Sequence, residues 1–264
     1  MSTPRALVAL RHLTRAPEVL RCMRTFDGWP TLVAAYLGVR PLPLPFDVRT
    51  RSGVAFRLAE FYDLETLWQI YCREVYVVSA SDRVIVDAGA NIGLFSCFAA
   101  SRARQAAIHA IEPFPATYDR LVETVRANGF ASRVTGHRVA LSSAAGVSTM
   151  SANAEASQMF HLENGSAANG VSVATTTLAG LLEAIDAPAV DLLKMDIEGS
   201  EYDVLLATPP AVLARIRRVD LEFHKSTTPG RTAETLVHHL ASAGFRLREA
   251  AVPGAEYGML HFVR

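Results

Sequence analysis

Apolar positions along this chain change their period several times, and each change marks an element. Through residues 4–40, Leu7, Leu10, Leu13 and Leu20 recur at helical spacing among Arg5, Arg11, Arg15, Arg21 and Arg24. Pro4, Pro17 and Pro30 sit where helices can begin, because a first-turn N–H has no partner to lose. Pro41, Pro43 and Pro45 predict a stiff connector. Residues 46–58 read as a β-hairpin turning at Ser52-Gly53. Residues 60–77 return to helix, with Leu64, Leu67, Trp68, Tyr71 and Val75 on one stripe.

From residue 83 onward, short β-branched runs alternate with helical patterns. Val84-Ile85-Val86 is a strand, residues 94–103 a helix and residues 107–111 a second strand. Residues 117–128 predict a helix closed by Gly129, and 134–141 a third strand. Residues 142–170 are rich in Ser, Ala, Asn and Gly. They suggest a short hairpin at 147–150 and a mobile loop. A helix at 177–185, a nearly all-apolar strand at 190–195, a helix at 201–207 and a strand at 218–223 follow. A helix at 232–243 ends at Gly244, and strands at 245–249 and 257–263 are joined through Pro253-Gly254. This alternation predicts an α/β fold with a seven-stranded, doubly wound sheet. The last two strands form an antiparallel pair at its edge. The boundary is placed near residue 80: a helical and hairpin cap over 1–80, and a nucleotide-binding domain over 81–264.

Composition narrows the picture. With 264 residues, half of them apolar, the chain can bury a large core. The formal net charge is zero, so no bulk field favours nucleic acid. Residues 1–57 carry nine Arg against three acids. Such a basic amphipathic segment can lean weakly on an anionic membrane surface, although packing on the domain is the commoner use. Cys22, Cys72 and Cys97 are far apart, without metal-ligand spacing, which suits a reducing cytoplasm. No apolar run approaches the roughly 20 residues that span a bilayer, and the N-terminus does not read as a signal peptide.

Candidate chemistry gathers at strand ends. The strand at 84–86 runs into Asp87 and turns through Ala88-Gly89-Ala90-Asn91-Ile92-Gly93. The glycine spacing is G-x-x-x-G, wider than the dinucleotide fingerprint, and suits a ligand without a pyrophosphate. Glu112 closes the second strand, where an acid can accept both ribose hydroxyls of a nucleoside. Pro113 and Phe114 follow, and Phe114 can lie against an adenine. Lys194-Met195-Asp196-Ile197-Glu198-Gly199-Ser200-Glu201 closes the fourth strand. Lys194 and Asp196 share a face by the period of two. Lys194 reads as the partner of a nearby carboxylate, and Glu201 as an acid favouring the next helix N-terminus. Asp196 is the candidate site residue. At the end of the fifth strand Glu222 and His224 share a face, so Glu222 is expected to orient His224 as a proton acceptor.

These pieces resemble the FkbM family of S-adenosylmethionine-dependent methyltransferases. The matching residues are 61–67 (Phe-Tyr-Asp-Leu-Glu-Thr-Leu), 86–93, Glu112-Pro113-Phe114-Pro115, 193–201 and Glu222-Phe223-His224. The similarity covers roughly residues 58–264, and its Asp-Ile-Glu-Gly-Ser-Glu stretch is the specific part. The resemblance implies a Rossmann-like class I methyltransferase fold and O-methylation of a hydroxyl on a sugar, glycolipid or polyketide-like metabolite. It places S-adenosylmethionine against Asp87, Gly89, Ala90, Asn91, Gly93, Glu112, Pro113, Phe114 and Asp196. Catalysis is then expected from His224 as base, with Asp196 and Glu222. No metal is expected. A divalent ion on Asp196, Glu198 and Glu222 is the less favoured arrangement. A nicotinamide oxidoreductase would need the three-glycine turn, which is absent. A non-catalytic nucleotide-binding module would be expected to have lost its strand-end acids, which are present.

Overall fold

The computed structural model describes residues 15–152, 160–163, 170–251 and 257–264. The chain divides between Val75 and Tyr76 into two compact units.

The first unit contains α1 (Ala16–Thr25), α2 (Trp29–Tyr36), β1 (Phe46–Arg49), β2 (Ala55–Leu58) and α3 (Phe61–Trp68). Pro17 and Pro30 lie in the first turns of α1 and α2, as their missing N–H allows. Pro4 lies outside the described residues. The hairpin pairs Phe46 with Leu58 and Arg49 with Ala55. The stripe at 60–77 does not stay α-helical. After Trp68 it widens into a π-helical turn, Gln69–Arg73, and stops at Glu74 in a left-handed conformation. Trp68 is fully buried, stacks on Tyr36 at 4.0 Å and donates to Glu18 at 2.6 Å. Arg21 bonds the carbonyl of Cys72 and pairs with Glu74, so this arginine packs on its own unit.

The second unit carries β3 (Val84–Ala88), α4 (Leu94–Arg102), β4 (Ala107–Ile111), α5 (Pro115–Ala127), β5 (Val134–His137) and β6 (Ala140–Leu141). Strands β7 (Gly146–Ala152), β8 (Phe160–Glu163) and β9 (Gly170–Thr176) follow, then α6 (Leu178–Ala184), β10 (Leu192–Met195), α7 (Glu201–Ala207) and α8 (Pro210–Leu213). The chain closes with β11 (Arg218–His224), α9 (Ala233–Ser242), β12 (Arg246–Ala251) and β13 (Tyr257–Val263).

Seven strands form one sheet in the order β12-β13-β11-β10-β3-β4-β5. The five strands from β11 to β5 are parallel, and β13 runs antiparallel between β11 and β12. The last two strands therefore form the expected antiparallel edge pair, with the reversed strand as its inner member. Central β10 is buried at every residue, as a strand covered on both faces must be. Val86, Leu193, Val219 and Leu221 join Leu181, Leu205, Leu236 and Leu240 in the core on one side of the sheet.

The strand expected at 134–141 is split. Residues 134–137 stay in the main sheet, and Ala140-Leu141 leaves to join a second sheet ordered β6-β9-β7-β8. That sheet occupies much of the segment read as a hairpin and loop. Strands β7 and β9 are rich in Ser and Thr, and among the described residues Ala140, Met150 and Val173, with Val171 against them, form a small core, so the hydrophobic alternation that marks a strand is weak. Residues 153–159 and 164–169 of the expected loop lie outside the described residues. Among the described residues, no helix is long and apolar enough to cross a membrane.

Candidate active site

The order of the strands places β3 and β10 side by side at the middle of the sheet, with β4 and β11 flanking them. Their carboxyl ends carry every candidate stretch found in the sequence. This is where open α/β sheets bind ligands.

The turn after β3 is built by backbone. Gly89 and Gly93 have φ of +77° and +87°, and Asn91 has φ of +48°. The sequence suggests that Gly89 leaves room for a ligand. The structure supplies a different reason: a Cβ there would lie 1.7 Å from the carbonyl oxygen of Asp196. The β3 turn and the end of β10 approach too closely for any side chain. Asp87 is also spent internally. It is fully buried, accepts from Ser96 Oγ at 2.6 Å and pairs with Lys194 Nζ at 3.2 Å. It holds the turn rather than presenting its oxygens to a ligand. Lys194 is buried as well and donates to the carbonyls of Gly89 and Ala88 at 2.7 and 3.2 Å. Burial would lower its pKa, but Asp87 and then Asp196 outweigh this and raise it. The lysine is the structural cation its neighbours suggested.

Glu112 stands beside the same turn. Its two carboxyl oxygens accept the backbone N–H groups of Asn91 and Phe114, each at 3.0 Å. Burial pushes its pKa up to about 7, against the lowering effect of those two bonds. Each oxygen keeps a lone pair for another donor. The Oδ1 atom of Asn91 is buried with no hydrogen-bond partner among the described residues. Pro113 precedes Phe114, which leads into α5. Ala90 donates its N–H to Ile111 and binds the turn to β4.

A second group forms at the ends of β10 and β11. His224 Nδ1 lies 3.0 Å from Glu201 Oε1, and its Nε2 lies 3.4 Å from Glu198 Oε2. Two expectations change here. Glu222 does not orient His224; Glu201 does. Residues i and i+2 on a strand share a face but stand about 6.6 Å apart, whereas Glu201 reaches His224 from the start of α7. Glu201, expected as a simple helix-end acid, is fully buried. The same oxygen also accepts the N–H groups of Ile197 and Gly199 at 3.1 Å, so it shapes the turn that carries Glu198. Glu198 sits at φ +53° within that turn.

The second change concerns proton transfer. Burial would lower the pKa of His224, but its bond to Glu201 and the charges of Glu201, Asp196 and Glu198 raise it to about 10. A pKa raised in this way favours the imidazolium at neutral pH, which opposes a role as proton acceptor. Glu198 and Glu222 are both held above the usual carboxylate range, first by burial and then by Asp196. Asp196 itself is partly open: its side chain is 26% exposed and lies 4.0 Å from Lys194. Tyr76, whose ring packs on Phe95 and lies under the Lys194 ammonium, completes the floor and carried no sequence signal.

Residues 87–247, which hold all of these groups except Tyr76, match the Methyltransferase FkbM domain. The chain belongs to this methyltransferase family. Among curated relatives of this FkbM chain, the antimetabolite synthetase AmbE of Pseudomonas aeruginosa is 29% identical over 243 residues. That alignment covers 74% of this chain but only 11% of AmbE, so the chain spans about a tenth of that protein. The hexuronic acid methyltransferase AglP of Haloferax volcanii is 29% identical over 67% of this chain and 74% of its own. The 31-O-demethyl-FK506 methyltransferase FkbM of Streptomyces tacrolimicus is 32% identical over 53% of this chain and 65% of its own.

Proposed function

We propose that this FkbM-family enzyme transfers a methyl group from S-adenosylmethionine to a hydroxyl of a sugar, glycolipid or polyketide-like metabolite. The observation that carries the reading is the adjacency of two unlike sites at the carboxyl ends of neighbouring strands. One is a glycine turn beside a buried acid with spare acceptor capacity; the other is a carboxylate-rich group centred on Asp196.

The first fits a nucleoside. Glu112 has lone pairs for a ribose diol, Asn91 has an unsatisfied amide oxygen, and Phe114 adjoins Glu112. When bound there, S-adenosylmethionine would supply an electrophilic methyl group on its sulfonium. The chain's own contribution is mostly placement, since methyl transfer needs the acceptor oxygen in line with that carbon. Asp196 is the group we assign to the acceptor's proton, because His224 is held protonated. Its backbone packs on Gly89 while its side chain faces the carboxylate group, so it belongs to both sites. The imidazolium of His224 is assigned to holding the acceptor or its neighbours by charge-assisted hydrogen bonds. Support for an oxygen-bearing acceptor comes from AglP and FkbM, named for a hexuronic acid and for 31-O-demethyl-FK506. No nucleic acid is assigned as partner.

Calorimetric titration with S-adenosylhomocysteine and with NAD tests the cofactor. The first is expected to bind and the second not; the reverse order overturns the reading. Labelled methyl transfer to a hydroxylated glycoside, compared with its amino-sugar counterpart, tests the oxygen assignment. Labelling only of the amine would refute it.

A further inference from the structure

We propose that Asp196, Glu198 and His224 form a binding site for a divalent first-row transition-metal cation, with Glu222 as an adjacent carboxylate. One ligand atom from each of the three side chains can be chosen so that all lie within 4.8 Å of one another. Bonds of about 2.0–2.2 Å hold ligand pairs roughly 3–4.4 Å apart, so a small side-chain rotation closes the set. A mixed imidazole and carboxylate donor set suits manganese, iron or zinc better than calcium or magnesium.

The histidine is prepared for ligation. Its Nδ1 is committed to Glu201, which leaves Nε2 facing Glu198 as the ligating atom. A ligating histidine whose other N–H is held by a carboxylate is the usual arrangement around a protein-bound metal. A cation would take the place now filled by the Nε2 proton, and with it the acceptor-holding role assigned to the imidazolium when no cation is bound.

Independent observations point to a missing positive partner. Glu222 is 7% exposed, and its carboxyl has no hydrogen-bond or ion-pair partner among the described residues. Its strongest charge interactions are with Asp196 and then His224, which places it facing the group. The second oxygen of Glu201, Oε2, is also buried without a partner. Four carboxylates, Asp196, Glu198, Glu201 and Glu222, thus surround one imidazole. Lys194, whose charge also reaches Glu222, is already engaged with Asp87. Buried charge of one sign must gain protons or a counter-ion, and a cation satisfies the carboxylates while leaving coordination positions open.

Binding of the cation does not depend on the proposed function; its use does. On that reading it would hold the acceptor oxygen beside Asp196 and ease loss of its proton.

Titrating the full chain with Mn²⁺ and following the free-ion signal by electron paramagnetic resonance tests the site. One saturable Mn²⁺ per chain is expected. Asp196→Asn, Glu198→Gln and His224→Gln should each weaken it at least tenfold. Glu201→Gln, which removes no ligand, should weaken it about 10–100-fold through the orientation of His224. Glu198 lies on a turn with a side chain 27% exposed, so its variant tests the site without disturbing the core. Asp47→Asn, in the first unit, should leave binding unchanged. No saturable binding up to millimolar Mn²⁺, or equal binding by wild type and the three ligand variants, overturns the proposal. S-adenosylhomocysteine calorimetry on the same wild-type sample separates the two readings. Mn²⁺ binding without nucleoside binding retains the cation site and removes the cofactor assignment, and the converse removes the cation site.

Discussion

Replacing Gly89 by alanine should destabilise the protein before any ligand is present. Two costs add. The residue sits at φ +77°, and a left-handed backbone costs an L-residue about 1–2 kcal/mol. The new Cβ would also fall 1.7 Å from the Asp196 oxygen and 2.8 Å from its carbonyl carbon. A real Cβ keeps at least 3.0 Å, so the backbone of Asp196 must retreat by more than an ångström. That backbone is not free, because its N–H bonds the carbonyl of Ala88 at 3.1 Å. Overpacking of this kind costs about 1–3 kcal/mol, giving roughly 2–5 kcal/mol in all. Gly93→Ala is the control. It has φ +87°, but its Cβ would meet Leu121 Cδ1 at 2.8 Å, a side-chain end that can rotate away. Its cost should stay near the backbone figure of about 1–2 kcal/mol. At about 2–4 °C per kcal/mol for a domain of this size, Gly89→Ala should lower Tm by roughly 4–20 °C and Gly93→Ala by roughly 2–8 °C. Thermal and urea unfolding of the ligand-free variants would measure both. A Gly89→Ala protein as stable as wild type, or less affected than Gly93→Ala, would refute the argument. It would return Gly89 to the role of clearing space for a ligand.

Lys194→Met should cost about 3–5 kcal/mol by leaving buried Asp87 uncompensated; urea unfolding should show Asp87→Asn recovering much of the loss in the double variant. S-adenosylhomocysteine affinity should fall as pH drops through about 7, where Glu112 gains a proton and loses an acceptor, and should be level above it. Calorimetry between pH 5.5 and 8.5 should show that slope in wild type and none in Glu112→Gln, with the variant weaker by about 1.5–3 kcal/mol at high pH. A pH slope retained in Glu112→Gln would assign the titration elsewhere. Thr177 caps α6 by accepting from Gly180 N at 3.0 Å, so Thr177→Ala should cost about 1 kcal/mol, read as a small fall in Tm with cofactor affinity unchanged.

The sequence by itself determined the alternation of the second unit. Apolar runs such as 107–111 and 192–195 lie against helices whose stripes repeat at 3.6 residues, and burial on both faces leaves such runs few alternatives. It also marked the strand-end stretches, because glycines, acids and a lysine at the end of an apolar strand carry a local cost that burial alone does not explain. The second sheet was not legible in this way. Strands β7 and β9 are mostly Ser, Thr, Gly and small apolar residues, and their pairing rests on backbone hydrogen bonds between distant segments. Nor was the π-helical turn after Trp68, where the helical stripe continues while the hydrogen bonding changes.

Within the site, residue identities were local but partnerships were not. The period of two put Glu222 and His224 on one face, yet it says nothing of a side chain arriving from another element. Only the fold brings Glu201 from the start of α7 to His224 on β11, where that contact, with the charges of Asp196 and Glu198, favours the imidazolium. Likewise the turn motif required glycine at 89, but the reason lies in Asp196, more than a hundred residues away in the chain and in van der Waals overlap with any added carbon. Short-range sterics and hydrophobic period act between neighbours in sequence. Charge, burial and close backbone approach act between neighbours in space, and those were decided when β3, β10 and β11 came together.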